Sequence, residues 1–153
     1  MIRYSTVVSI DRPPRDVLAA LLDADLYTRW TDMVDARFDG SATPGVGTKG
    51  EFRFPAGPLK GRYDMEILAL EPDRTLNIRI DGSRLRWISY TSLEPEGNGT
   101  RMTYAGEISL LGWRRVLEPL MAREAQAGEA REAERFKELL ESEAGLGLAT
   151  ASA

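Results

Sequence analysis

Residues 75–81, TLNIRID, set Leu76, Ile78 and Ile80 against Asn77, Arg79 and Asp81 at a spacing of two. That period predicts a half-buried β-strand, because successive strand side chains point to opposite faces. The same alternation runs through 60–71, where Tyr63, Met65 and Ile67 oppose Arg62, Asp64 and Glu66. In 84–94 it places Leu85, Trp87, Ser89 and Thr91 inward, opposite Arg84 and Arg86, although Ile88 and Tyr90 interrupt it. In 100–110 it places Met102, Tyr104, Gly106 and Ile108 inward, opposite Arg101, Thr103 and Glu107. Shorter strands are predicted over 33–39 and 48–55, and the β-branched run IRYSTVVSI predicts another over 2–10. The turns GSATPGVG, PAGP, EPD, DGS and EPEGNG leave connections too short for crossovers, so the strands are mostly antiparallel. One half-buried antiparallel sheet follows.

Two segments carry helical spacing instead. In IDRPPRDVLAALLDADLYTRW, Pro13 and Pro14 stop the first strand and suit a helix's first turn, where a missing N–H costs little. Val17, Leu18, Leu21 and Leu22 then form one apolar face, and Leu26, Tyr27 and Trp30 form the inner side of a second short helix. Neither is long enough to be stable alone. The last segment is rich in Ala, Glu, Arg and Leu and predicts a long helix from Pro119 to Glu141, ended by Gly145. The expected organisation is a single α+β domain over 1–144 and a flexible tail over 145–153.

The long helix has an uneven inner face. Leu117, Leu120 and Met121 load one end, and Phe136, Leu139 and Leu140 load the other. Between them stand Ala125, Gly128 and Glu132, and a mid-helix glycine costs about 1 kcal/mol relative to alanine. Either a bulky strand residue such as Trp87 fills the gap, as close packing favours, or the gap stays open as a pocket. The inward hydroxyls of Tyr63, Ser89, Thr91 and Tyr104 on an otherwise apolar wall suit a small-molecule site. Each alternatively serves a backbone carbonyl or an ordered water.

Composition narrows the chemistry. The 153 residues contain no cysteine and no histidine, which excludes disulfides, thiolate or Ser–His nucleophiles, and Cys- or His-ligated zinc. No loop of the DxDxDG type suggests a calcium site, so neither metal nor cofactor is expected. The formal charge of −4 is well mixed, with no basic stripe for nucleic acid. No apolar run reaches the length of a membrane span, and MIRYSTVVSID lacks the pattern of a signal peptide. The expectation is a soluble cytoplasmic protein, monomeric or homodimeric. Asn98 to Thr100 matches a glycosylation sequon but reads as a hairpin turn.

The order of elements resembles the START-like superfamily, closest to its polyketide cyclase/dehydrase (SRPBCC) branch. The resemblance rests on VVSIDRPPRDVLAALLDADLYTRW, GTKGEFRF, GTRMTYAGEISL and LEPLMAREAQAGEAREAERFKELLE, and covers residues 2 to about 142. It implies a helix-grip fold: a seven-stranded antiparallel sheet curved around the long C-terminal helix, with two short helices after the first strand. It also implies a hydrophobic cavity between sheet and helix. The candidate lining is Trp30 from the helix pair and Phe52, Phe54, Tyr63, Met65, Ile78, Trp87, Ser89, Thr91, Met102 and Tyr104 from the strands. Met121, Ala125 and Gly128 complete it from the long helix. Arg29, Trp30 and the SATPGVG loop are candidates for its entrance.

Three functions fit. The first is binding of an apolar small molecule, such as a lipid, isoprenoid or polyketide. The second is cyclase or dehydratase chemistry, with Tyr63 and Tyr104 donating to an oxyanion and Glu132 acting as base. Aromatase/cyclases of the family use arginine and tyrosine inside the cavity, whereas Arg53, Arg62 and Arg79 here fall on the predicted outer face. The third is an interaction or maturation module, as related folds provide.

Overall fold

The computed structural model describes residues 1–40 and 43–142. Part of the expected entrance loop, residues 41 and 42, and the expected tail lie outside the described residues. The elements are β1 (Ile2–Ile10), α1 (Pro14–Leu21), a 3₁₀ turn (Ala24–Leu26), α2 (Tyr27–Trp30), β2 (Val34–Phe38), β3 (Lys49–Phe54), β4 (Gly61–Glu71), β5 (Thr75–Asp81), β6 (Leu85–Glu96), β7 (Gly99–Leu110), a second 3₁₀ segment (Gly112–Leu117) and α3 (Glu118–Glu141). This is the helix-grip α+β fold: a curved seven-stranded antiparallel sheet, short helices after the first strand and one long C-terminal helix.

The strand order is β1-β7-β6-β5-β4-β3-β2. Six strands form a meander, and the first strand joins the last, from Ile2 beside Ile108 to Ile10 beside Thr100. The β6–β7 connection is a two-residue turn, with Gly97 at φ 60 in a position where an ordinary residue is strained. It is the turn expected at the sequon. The outer edge strand β2 is bent: its register shifts between Val34 and Arg37, and Asp35 adopts φ 53. Such a bulge blunts an edge against pairing with another chain.

Chain reversal after β1 follows from the two prolines. Pro13 is extended, Pro14 opens α1, and Asp16 sits in the first turn where the helix dipole favours it. Val17, Leu18, Ala20 and Leu21 are buried beneath this helix. The Asp23 side chain then accepts from the Asp25 N–H at 3.1 Å and starts the 3₁₀ turn that leads into α2. α2 is one turn long, closed by the Thr31 N–H donating to the Tyr27 carbonyl at 2.8 Å, and is anchored by contacts to its neighbours. The Tyr27 hydroxyl donates to the Leu21 carbonyl at 2.7 Å, and the Trp30 ring lies 4.8 Å from that of Phe136 on α3.

α3 packs along β1 and closes that edge with side chains. Gln126 accepts from the Ser5 N–H and donates to the Ser5 carbonyl, both at 3.0 Å. Lys137 donates to the Ser9 carbonyl at 2.7 Å, and Glu141 accepts from the Asp11 N–H at 2.7 Å. The buried stripe of α3 is Glu129, Glu132, Ala133, Phe136, Leu139 and Leu140. One expectation for this helix is corrected. Leu120 does not load the inner face but is 79% exposed, beside exposed Trp113 and Val116. Leu117 and Met121 pack against the core, and Leu120 lies about 100° round the helix from Met121. Among the described residues, no helix is long and apolar enough to cross a membrane.

Candidate functional site

Antiparallel register writes the inner face of the sheet as rows. Ile67, Ile78, Ser89, Gly106 and Tyr4 form one row across β4, β5, β6, β7 and β1. Leu76, Thr91 and Tyr104 lie in the next row, and Met65, Ile80, Trp87 and Ile108 in the row on the other side. Gly106 has a steric task in its row. A Cβ there would stand 2.4 Å from the Tyr4 hydroxyl oxygen and 2.5 Å from its ring, so only glycine lets Tyr4 lie flat across β7. Tyr4 in turn accepts a hydrogen bond from Trp87 Nε1 at 2.9 Å.

α2 and the segment after it cover these rows and leave a cavity of about 40 Å³. That is room for two or three water molecules at most. Its walls include Trp30, Met33, Met65, Ile78, Trp87 and Tyr104, with the Ser89 and Thr91 hydroxyls among them. Leu21, Tyr27, Leu76 and Ile80 complete it. Three of the wall's aromatic rings meet in edge contact, Tyr27 to Trp30 at 5.7 Å and Trp30 to Tyr104 at 6.2 Å, and Tyr4 lies tilted against Tyr104 at 5.8 Å.

Two carboxyls from one turn of α3 stand behind Tyr104. Glu129 and Glu132 are 9% and 8% exposed, far more buried than surface helix glutamates. Glu129 interacts with the Tyr104 hydroxyl and with Glu132. Burial raises the proton affinity of both carboxyls. For Glu132 the neighbouring charge of Glu129 adds to it, and Asp32 pushes both further up. The Arg135 guanidinium acts the other way on Glu132 and pairs with Asp32 at 3.6 Å. Burial also raises Tyr104 well above the usual phenol range, and the Glu129 charge reinforces it, so its hydroxyl stays a donor. Among the described residues, Glu129 Oε2, Glu132 Oε2 and Trp30 Nε1 are buried without a hydrogen-bond partner. Such a group can share a proton between two carboxyls, or accept a positive charge.

The structure gathers part of the candidate set and disperses the rest. Trp30, Met65, Ile78, Trp87, Ser89, Thr91 and Tyr104 line the cavity. Phe52, Phe54 and Tyr63 form a separate aromatic cluster, with Phe52 and Tyr63 stacked at 5.4 Å and the Tyr63 hydroxyl donating to the Leu59 carbonyl at 2.7 Å. Tyr63 stands three strands from Tyr104, roughly 14 Å across the sheet at normal strand spacing, and is displaced along the strands too, because the Tyr104 row meets β4 at Leu70. Met102 is buried between Val8 and Leu93, and Met121 and Ala125 pack half-buried along α3. Gly128 faces away from the cavity walls: an added Cβ would meet only the Arg131 Nη2 atom, at 3.8 Å. Of the three candidate catalytic residues, Tyr104 and Glu132 come together through Glu129, and Tyr63 does not join them. Arg29 is exposed beside buried Trp30. Arg53, Arg62 and Arg79 are engaged with Asp35, Glu51 and Glu66. Among the described residues, no three acidic side chains converge as a metal site.

Sequence reasoning missed Glu129, Leu21, Tyr27, Met33, Leu76 and Ile80. Glu129 was legible in the period of α3, since stepping back from Phe136 by four and by seven residues lands on Glu132 and Glu129. Glutamate identity hid a buried position.

The family model described as polyketide cyclase/dehydrase and lipid transport matches residues 1–141. No curated protein matches the sequence. Among solved structures, TTHA0849 from Thermus thermophilus is similar at TM-score 0.71 and 16% identity, over 99% of this chain and 99% of that one. MLL2253 from Mesorhizobium loti is similar at TM-score 0.67 and 22% identity, over 90% of this chain and 96% of that one. The Aha1 dimer from Colwellia psychrerythraea is similar at TM-score 0.66 and 19% identity, over 92% of this chain and 97% of that one. At these identities the likeness is one of fold.

Proposed function

This chain belongs to the polyketide cyclase/dehydrase and lipid transport family, and from that premise we propose that it binds an apolar small molecule of lipid, isoprenoid or polyketide type beneath α2. The observation that carries the reading is a small cavity against the inner face of the sheet, walled mainly by apolar side chains with Ser89, Thr91 and Tyr104 among them. At about 40 Å³ the space is smaller than any such ligand. Binding therefore requires outward movement of the segment carrying Tyr27, Trp30 and Met33. That segment suits the task, because a single helical turn has little stability of its own. Apolar burial against Met65, Ile78 and Trp87 supplies the affinity, and the hydroxyls fix orientation.

Titration with Nile red, a neutral solvatochromic dye, tests this. Saturable binding with a blue-shifted emission is expected, and Ile78→Phe, which fills the cavity, should weaken it at least tenfold while circular dichroism stays unchanged. Absence of saturable binding, or indifference to Ile78→Phe in a folded variant, overturns the reading.

A further inference from the structure

The three most exposed large hydrophobic side chains among the described residues are Leu120, Val116 and Trp113, at 79%, 75% and 68%. They stand at i, i+3 and i+7 of the helical segment that runs from the second 3₁₀ turn into α3, so they project from one face. Met1 is exposed at the same end, its amine paired with Glu118. Apolar surface gathered in this way marks an interaction site, whereas single exposed apolar residues do not. Cations surround it. Arg114 lies over the Trp113 ring at 5.0 Å, and Arg115 and Arg123 are exposed on the same segment. Among the described residues none of these three arginines has an ion pair. Burial raises the Tyr63 phenol, and Arg84 and Arg114 both pull it back, which places two guanidiniums together at that end of the sheet. The acidic groups on the segment are already engaged. Glu118 holds the Met1 amine and accepts from the Leu110 N–H at 2.8 Å, and Glu124 pairs with Arg131 at 2.9 Å. A chain of formal charge −4 thus carries one apolar face ringed by free positive charge.

We propose that this face, Trp113, Val116 and Leu120 ringed by Arg114, Arg115 and Arg123, docks the protein on the surface of an anionic lipid bilayer. The proposal does not depend on the ligand-binding reading above. Among the described residues no helix is long and apolar enough to cross a membrane, so the segment lies in the head-group region. There the three apolar side chains enter the acyl boundary while the arginines stay with the lipid phosphates and carboxylates. The stacked Trp113 and Arg114 suit that depth, because a tryptophan ring settles at the head groups and a guanidinium binds phosphate through paired donors. A second copy of this chain is a poorer occupant. A two-fold contact through this face sets the arginines against their own copies, with no free carboxylate on the segment to separate them. An anionic bilayer supplies both the apolar layer and the missing negative charge.

Flotation of the full chain with vesicles of phosphatidylcholine, alone or with one quarter phosphatidylserine, tests this. Tryptophan fluorescence gives a second readout, because Trp30 and Trp87 are buried at 5% and 4% exposure and Trp113 is the ring open to lipid. Binding to the mixed vesicles should be at least tenfold tighter than to phosphatidylcholine alone, should shift the emission to the blue, and should weaken as salt is raised. Val116→Ser/Leu120→Ser should weaken binding at least tenfold and remove the blue shift. Arg114→Gln/Arg115→Gln/Arg123→Gln should remove the preference for phosphatidylserine. None of these side chains is in the core, so circular dichroism should stay unchanged in both variants. Absence of binding to the mixed vesicles overturns the proposal, and so does binding that both variants retain. A concentration-dependent dimer in sedimentation velocity that Val116→Ser/Leu120→Ser dissociates assigns the face to a second copy and overturns it as well. The Nile red titration contains no vesicles, so the ligand-binding reading stands or falls separately.

Discussion

Gly106 and Gly128 are the same residue type set to opposite uses. At Gly106 the missing Cβ makes room for the Tyr4 ring, with no slack, so Gly106→Ala forces Tyr4 off β7 and disturbs its bond with Trp87. Overpacking of this kind costs about 1–3 kcal/mol. At Gly128 nothing occupies the Cβ direction except the end of a flexible arginine, and the helix gains propensity from alanine. Gly128→Ala should therefore stabilise by about 0.5–1 kcal/mol. Urea denaturation of both variants tests the pair, and a destabilised Gly128→Ala would show that the helix approaches something at that point. At this scale, alternation placed Ser89, Thr91 and Tyr104 inward and helical spacing placed Trp30 inward, and all four line the cavity. Helical spacing also set Ala125, Gly128 and Glu132 on one inner face; Glu132 is buried there, and the second buried residue beside it is Glu129 rather than Gly128.

Among the elements, β1 depends most on another. It is an edge strand whose outward groups at Ser5 and Ser9 are taken by Gln126 and Lys137 of α3, and the Asp11 N–H just past its end by Glu141. The helix thus blocks a strand edge that would otherwise invite pairing with another chain. Gln126→Ala should cost about 1 kcal/mol, the net worth of a partly exposed amide pair. Its clearer signature is hydrogen exchange: the Ser5 amide should exchange faster in the variant, while the Ala105 amide on the interior strand β7 keeps its protection. Equal rates at Ser5 would show that water serves that edge as well as glutamine does. The strands were legible because their period of two is strict, and α1 because two prolines announce it. The path of α3 was not, since nothing local says whether a helix lies across a sheet or along its first strand.

For the whole molecule, the buried pair makes stability depend on pH in a direction opposite to ordinary acid denaturation. Below the usual carboxyl value of 4.5, folded and unfolded chains both hold the protons and the pair contributes no penalty. As pH rises, the unfolded chain releases them first, while the folded chain retains them until about 7 for Glu129 and about 9 for Glu132. The folded state binds more protons throughout that window, so this contribution falls steadily as pH rises through it. Glu129→Gln/Glu132→Gln removes the dependence. Denaturation midpoints at pH 5, 7 and 9 should show the variant gaining on the unaltered protein with each step. A constant difference would mean that the two carboxyls are solvated in solution.

The pattern of the chain by itself determined the seven strands, the proline-led helices, the long final helix and the hydroxyls that face inward, because each follows from short-range periodicity and steric rules. The resemblance carried by the same residues implied a cavity between the sheet and the long helix, whereas the cavity found lies between the sheet and the segment from Leu21 to Met33, with no α3 residue in its walls. Tertiary structure decided what stands at its edge. Pairing of β1 with β7 brings Tyr4 beside Tyr104, residues a hundred positions apart, and the packing of α3 along β1 delivers two glutamates to them. Tyr63 and Tyr104 looked equivalent in one dimension but are separated by strand order, which no local period encodes. Burial is likewise a property of assembled surfaces, and it is what makes Glu129 and Glu132 hold their protons more tightly than helix-surface glutamates do.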